Sequence, residues 1–194
     1  MPVTSLLSWR FLDGAGLEGT RVLLGSGAGF RALGRMVRTG EAPVPFTASY
    51  RLILREDGSA ARISVTSATA ARERHLTINR TDDGFWLLDT GAGGTRAAFD
   101  GAVDVDLAYS PIFNAPPVRR LRLHRDAGEH ALAVVFVTLP ELEVRLVEQR
   151  YRTVRTLDES GTAVVEFRWG DLVREVVVDG DGIAVSYAQL AERV

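Results

Sequence analysis

The run Tyr50-Arg51-Leu52-Ile53-Leu54-Arg55 leads through the turn Glu56-Asp57-Gly58 into Arg62-Ile63-Ser64-Val65-Thr66, and this stretch decides the fold. Tyr50, Leu52 and Leu54 fall on one side of an extended chain and Arg51 and Arg55 on the other, because successive side chains of a strand point to opposite faces. Ile63 and Val65 alternate in the same way with Arg62, Ser64 and Thr66. The Asp-Gly pair between the two runs supplies the positive φ of a tight hairpin at little steric cost. The pattern is that of half-buried antiparallel strands.

Outward from this hairpin the same period recurs. Leu76 and Ile78 alternate with His75, Thr77 and Asn79; Val103, Val105 and Leu107 with Asp104 and Asp106; Ile183, Val185 and Tyr187 close the series. Further turn signals stand at Asp82-Asp83-Gly84, Asp126-Ala127-Gly128, Glu159-Ser160-Gly161 and Asp179-Gly180-Asp181-Gly182. Gly25-Ser26-Gly27-Ala28-Gly29 reads as another hairpin turn. As a phosphate cradle it lacks the glycine spacing, the lysine and a long following helix. At roughly 8–12 residues per strand and turn, the 194 residues hold about fifteen strands. The expectation is one all-β domain over residues 1–194, a long antiparallel meander.

Three segments depart from simple alternation. Residues 132–137 (Leu-Ala-Val-Val-Phe-Val) are apolar on both faces, which calls for cover on both sides. Leu142, Val144 and Leu146 are apolar at even positions, whereas Val147, Gln149 and Tyr151 continue at odd ones; this phase change predicts a β-bulge or bend near Leu146-Val147 that lets the sheet curl. Asn114 followed by Pro116 and Pro117 offers a capping side chain and then prolines in a first turn, predicting one short helix over 115–121. The competing reading is an extended proline segment running into a strand over 121–125.

Composition removes whole classes of chemistry. There is no Cys, hence no disulfide framework, thiolate metal site or cysteine nucleophile. All 23 basic residues are Arg, so neither Schiff-base chemistry nor a phosphate loop ending in Gly-Lys-Ser/Thr is available. A net charge of -2 gives no basic footprint for nucleic acid. Residues 1–14 lack a leader pattern, and no apolar run nears the ~20 residues of a membrane span, so a cytoplasmic location is expected. His75, His124 and His130 are scattered, no Gly-x-Ser-x-Gly elbow occurs, and neither a metal nor another cofactor is expected.

Asp104-Val-Asp106-Leu-Ala-Tyr-Ser110-Pro111-Ile-Phe-Asn114-Ala-Pro-Pro117-Val-Arg119-Arg120-Leu121 resembles the signature of a bacterial family described as "putative glycolipid-binding", formerly a domain of unknown function. Further matches are Pro140-Glu-Leu, Gln149-Arg-Tyr151 and Val178-Asp179-Gly-Asp-Gly182-Ile-Ala-Val-Ser-Tyr187. The likeness covers most of residues 84–193. Phe113 and Ala115 stand where the family commonly shows Thr beside the Asn. The resemblance implies a spiral β-roll, a long sheet wrapped around a single helix, assembled as a homodimer. It also implies a glycolipid or similar amphiphile as ligand.

The candidate binding residues are Asp104, Asp106, Asn114, Arg119, Arg120, Gln149, Tyr151 and Tyr187. Two strand rises put the Asp104 and Asp106 carboxylates about 6–7 Å apart. That spacing suits a sugar headgroup site, a carboxylate acid–base pair, or a structural network with arginines. Arg119 and Arg120 could clamp an anionic headgroup, anchor the helix to those aspartates, or face solvent. Asn114 reads first as a helix cap. Gln149 and Tyr151 share a strand face, and these two, Tyr187 and Trp86 serve equally as pocket lining or core. Three functions follow in order of preference: a non-enzymatic amphiphile-binding module, a structural or interaction homodimer with a filled interior, and a carboxylate enzyme acting on sugars.

Overall fold

The computed structural model describes residues 3–25, 29–40, 44–91 and 93–194. Among the described residues the alternating segments form fifteen strands. The first eight are β1 (Val3–Phe11), β2 (Gly16–Leu24), β3 (Phe30–Arg38), β4 (Phe46–Leu54), β5 (Ala60–Thr69), β6 (Glu73–Arg80), β7 (Trp86–Asp89) and β8 (Gly94–Ala97). The remaining seven are β9 (Asp104–Leu107), β10 (Glu129–Val137), β11 (Val144–Arg155), β12 (Thr162–Trp169), β13 (Leu172–Asp179), β14 (Ala184–Tyr187) and β15 (Ala191–Arg193). All belong to one sheet, ordered β8-β7-β6-β5-β4-β3-β2-β1-β15-β14-β13-β12-β11-β10-β9. The chain starts mid-sheet, meanders to one end, crosses to the other and meanders back until β15 pairs with β1.

That route explains where the helix lies. Neighbouring strands pair antiparallel except β9 and β10, which run parallel, and a parallel pair cannot be joined by a tight turn. The connection between them carries a 3-10 turn (Pro111–Asn114) running directly into helix α1 (Ala115–Arg120). Pro116 and Pro117 occupy the first helical turn, where the missing N–H groups leave no bond unmade. Residues 121–125 are turn, not strand. The sheet curls so that the segment entering β9 returns to β5, with Ala60 N–H donating to Val103 O at 2.8 Å. The result is a spiral β-roll with one helix inside.

The rolled sheet holds two apolar clusters with the crossover between them. Ile112, Phe113 and Ala115 pack with the inner side chains of β1–β7, among them Trp9, Met36, Leu52, Ile63 and Ile78. Val118 and Leu123 pack instead with Tyr151, Val165, Phe167, Val176 and Tyr187 of β11–β14. β9 and β10 lie between the layers, which is why Val134 to Val137 are buried on both faces. Of the bulge or bend expected near Leu146-Val147, the bulge is not formed: β10 and β11 keep one register from Val137↔Val144 to Glu129↔Arg152. The phase change has another origin. Val144 packs toward the first cluster, whereas farther along β11 the opposite face, with Gln149 and Tyr151, is the buried one. The register shifts fall at Thr153/Arg155, Ile53/Leu54 and Val177/Val178.

The expected turns close as their residues dictate. Gly58, Gly84, Gly161 and Gly182 adopt positive φ, and Asp57, Asp158 and Asp179 each accept a hydrogen bond from the backbone two residues on. In the Gly25–Gly29 stretch, Gly25 N–H donates to Gly29 O at 2.8 Å; Ser26, Gly27 and Ala28 lie outside the described residues. Among the described residues no helix is long and apolar enough to cross a membrane.

Candidate functional site

Cross-strand pairing gathers a set of side chains on one face. Asp106 pairs with Phe136, Leu132 with Gln149, Tyr151 with Phe167, Phe167 with Arg174, and Val176 with Tyr187. This face turns toward the crossover and leaves a cavity of about 470 Å³ against residues 107–110 and Asn114. Its walls are largely apolar and aromatic: Leu107, Leu139, Leu172 and Leu190, with Phe136 tilted on Trp169 at 4.6 Å and Phe167 edge-on to Tyr187 at 5.9 Å. Asp106, Ser110, Asn114, Glu141 and Arg174 supply polar groups. Such a space suits a drug-sized molecule with an apolar body and a few polar contacts.

Behind the polar floor, hydrogen bonds run through Gln149 and Tyr151, which are buried and lie outside the cavity lining. Gln149 Nε2 donates to Asp106 Oδ2 at 2.7 Å, and Asn114 Nδ2 donates to Pro111 O at 3.3 Å. The Tyr151 hydroxyl lies 3.3 Å from Gln149 Oε1 and 3.2 Å from Asn114 Oδ1, and its single hydrogen serves one acceptor at a time. Asn114 therefore does not cap the helix with its side chain, contrary to the sequence expectation; burial against Tyr151 gives its amide better partners. Burial pushes the Asp106 carboxyl up to about 6, with the Gln149 amide pulling against it. Tyr151 and Tyr187 are likewise held above the usual phenol range by burial, reinforced by the negative Asp106 nearby.

Behind Ser110 lies a second polar group that alternation did not single out. Glu18 is fully buried, and its Oε1 accepts hydrogen bonds from Ser110 Oγ at 2.7 Å, Thr20 Oγ1 at 3.1 Å and the Tyr50 hydroxyl. Its second oxygen, Oε2, has no partner among the described residues. Burial raises this carboxyl to about 7, and the three hydroxyl donors oppose the rise. The signal was present in the sequence: Glu18 and Thr20 occupy the same phase of β2 as the buried Val22. An acid in the apolar phase of a strand needs donors from elsewhere, here from β4 and the crossover.

The two aspartates of β9 have separate partners. The buried Asp104 carboxylate pairs with Arg120 at the end of α1, tying helix to sheet, while Asp106 faces the cavity. Burial raises the Asp104 carboxyl and the Arg120 charge holds it down. Replacing Arg120 by Met is expected to cost about 2 kcal/mol in urea unfolding, because it strands a buried carboxylate. Adding Asp104→Asn to that variant should recover part of the loss. Arg119 leaves the site altogether: it donates to Asp181 O and lies 5.8 Å over the Phe30 ring. Trp86 is also remote, donating to Ala102 O at 3.2 Å and packing edge-on to Phe99. Among the described residues no group of three or more His, Asp and Glu is placed to hold a metal ion.

The chain is thus a spiral β-roll enclosing one helix, with an aromatic-walled cavity at the crossover that leads into that helix. The chain belongs to the family described as "putative glycolipid-binding", whose model matches residues 6–193. A crystal structure of a DUF1089 family protein from Pseudomonas aeruginosa is similar at 26% identity and a TM-score of 0.74, covering 93% of this chain and 92% of that one. A β-barrel-like protein of the domain of unknown function DUF1849 from Brucella abortus shares the fold at 9% identity and a TM-score of 0.55, over 100% of this chain and 95% of that one. No curated protein matches the sequence.

Proposed function

We propose that the chain is a non-enzymatic binding protein that holds a neutral, hydroxyl-rich amphiphile in the cavity beside α1. The observation that carries this reading is the cavity's make-up: an aromatic and aliphatic wall over a floor of Asp106, Ser110 and Asn114. Apolar walls take the hydrocarbon part, and the convergent acceptors and amides take hydroxyl donors. Two carboxylates, Asp106 and Glu141, against one guanidinium, Arg174, disfavour a phosphate head and favour a sugar-like one. The family description points the same way. A carboxylate enzyme is less well supported, because Asp104 is engaged by Arg120 and Asp106 by Gln149.

Trp169 is the natural reporter. Trp9 and Trp86 are fully buried, whereas Trp169 is 36% exposed and lines the cavity. Titration with a short alkyl glucoside below its micelle concentration should shift the emission saturably, and Trp169→Phe should abolish the response. Asp106→Asn should weaken binding about tenfold, the worth of one charge-assisted hydrogen bond. A flat titration, together with native mass spectra showing only bare chain, sinks the reading. The homodimer is part of this proposal, and light scattering that reports only monomer at micromolar concentration removes it.

A further inference from the structure

The outer face of β1–β5 differs in charge from the rest of the sheet. On β11 and β12 the outer arginines Arg150, Arg152 and Arg168 each have a carboxylate partner, Glu148 or Glu166. On β2–β5 the exposed Arg21, Arg31, Arg35, Arg51 and Arg62 have none among the described residues, and no carboxylate points outward from β1–β5 there. Four of the arginines alternate with aliphatic side chains across the strands, while Arg35 stands between Gly19 and Ser49. One row reads Leu6, Arg21, Leu33, Arg51 and the next reads Leu23, Arg31, Ile53, Arg62. Neighbouring strands lie about 4.8 Å apart, so guanidinium stems in a row stand about 10 Å apart with an aliphatic residue between them. Leu6 is 77% exposed, and with Arg21, Leu33, Arg35 and Arg51 it borders a shallow groove of about 530 Å³.

We infer that this face docks on an anionic lipid bilayer. Charge complementarity requires a negative partner, and the interleaved leucines require one that also accepts hydrocarbon. A bilayer interface offers both, with guanidinium heads at the phosphates and aliphatic side chains seated between headgroups. A second copy of the same face would oppose five uncompensated cations to five. A single-stranded nucleic acid would want aromatic platforms, and β1–β5 point no Phe, Tyr or Trp outward. Docking there leaves the cavity, on the inner side of the sheet's other half, free to exchange an amphiphile.

The test is co-sedimentation of the full chain with phosphatidylcholine vesicles, with and without one third phosphatidylglycerol. Binding to the anionic vesicles is expected at about 0.05 M salt and its loss at about 0.5 M, where charges are screened within a few ångströms. Each arginine near such a surface is worth roughly fivefold in affinity, so the triple variant Arg21→Gln/Arg35→Gln/Arg51→Gln should bind about a hundredfold more weakly. An unchanged melting temperature should show that this variant is folded. Arg150→Gln/Arg152→Gln/Arg168→Gln should bind as the parent does. Equal capture by neutral vesicles, equal binding by the two triple variants, or binding to a single-stranded oligonucleotide but not to vesicles overturns the inference. Asp106→Asn should leave vesicle binding unchanged, so failure of the cavity reading and failure of the docking reading are told apart.

Discussion

Replacing Glu18 by Gln should abolish a loss of stability that the parent chain suffers between pH 4.5 and about 7. The unfolded carboxyl gives up its proton near the ordinary value of 4.5, whereas the folded one keeps it until about 7. Across that window the folded chain binds one more proton than the unfolded chain. The stability that Glu18 contributes is therefore fully present below the window and is lost as pH rises through it, at about 1.4 kcal/mol per pH unit. The whole contribution is about 3 kcal/mol. Gln keeps an oxygen for Ser110, Thr20 and Tyr50 but carries no charge at any pH. Urea unfolding of both chains across this range isolates the effect, since the raised Asp106 and the lowered Asp13, Asp57 and Glu166 cancel in the difference. A difference that stays constant with pH would falsify the assignment of a strongly raised carboxyl to Glu18.

The same group reaches the cavity through Ser110. That hydroxyl spends its hydrogen on Glu18 and so presents lone pairs to a ligand. The Glu18→Gln variant keeps this orientation, so alkyl glucoside affinity should change less than twofold while the pH profile changes strongly. A structural carboxylate and a binding residue are thereby distinguished by two measurements on one protein.

The strands were legible because each buries one face, and that asymmetry is written as alternation: Tyr50, Leu52, Ile63, Val65, Leu76 and Ile78 are all buried. Legibility failed where an element touches two layers. Val144 and Tyr151 belong to one regular strand, yet opposite faces of it are covered, so the sequence shows a phase slip without a bulge. It failed differently at Glu18 and Arg119, whose partners Ser110 and Asp181 lie 92 and 62 residues away. Asp106, Asn114, Gln149, Tyr151 and Tyr187 were nameable as polar or amphipathic groups near inward positions. Only the parallel β9–β10 crossover, which alternation does not encode, brings Asp106, Asn114 and Tyr187 to the cavity, with the buried Gln149 and Tyr151 behind them as hydrogen-bond partners of Asp106 and Asn114.

Gly34→Ala should destabilise the chain by about 3 kcal/mol, through space alone, since the strand conformation there is open to any residue. Thr20, Gly34 and Tyr50 form one cross-strand row, and the Tyr50 ring lies across Gly34 so that its hydroxyl meets Thr20 Oγ1 at 2.7 Å and also Glu18. A Cβ at position 34 would fall inside that ring. Displacing the ring removes a donor from the buried Glu18. It also pushes on Phe113, which meets Tyr50 edge-on at 5.2 Å and immediately precedes Asn114 of the cavity floor. Glucoside binding should weaken along with stability. A double-mutant cycle checks the cause: in a Tyr50→Leu background the ring is gone, and Gly34→Ala should cost less than about 1 kcal/mol, a coupling of roughly 2 kcal/mol. An equal cost in both backgrounds would mean that something other than the Tyr50 ring requires the glycine. The row linking β2, β3 and β4 to the cavity would then lose its role in shaping the site.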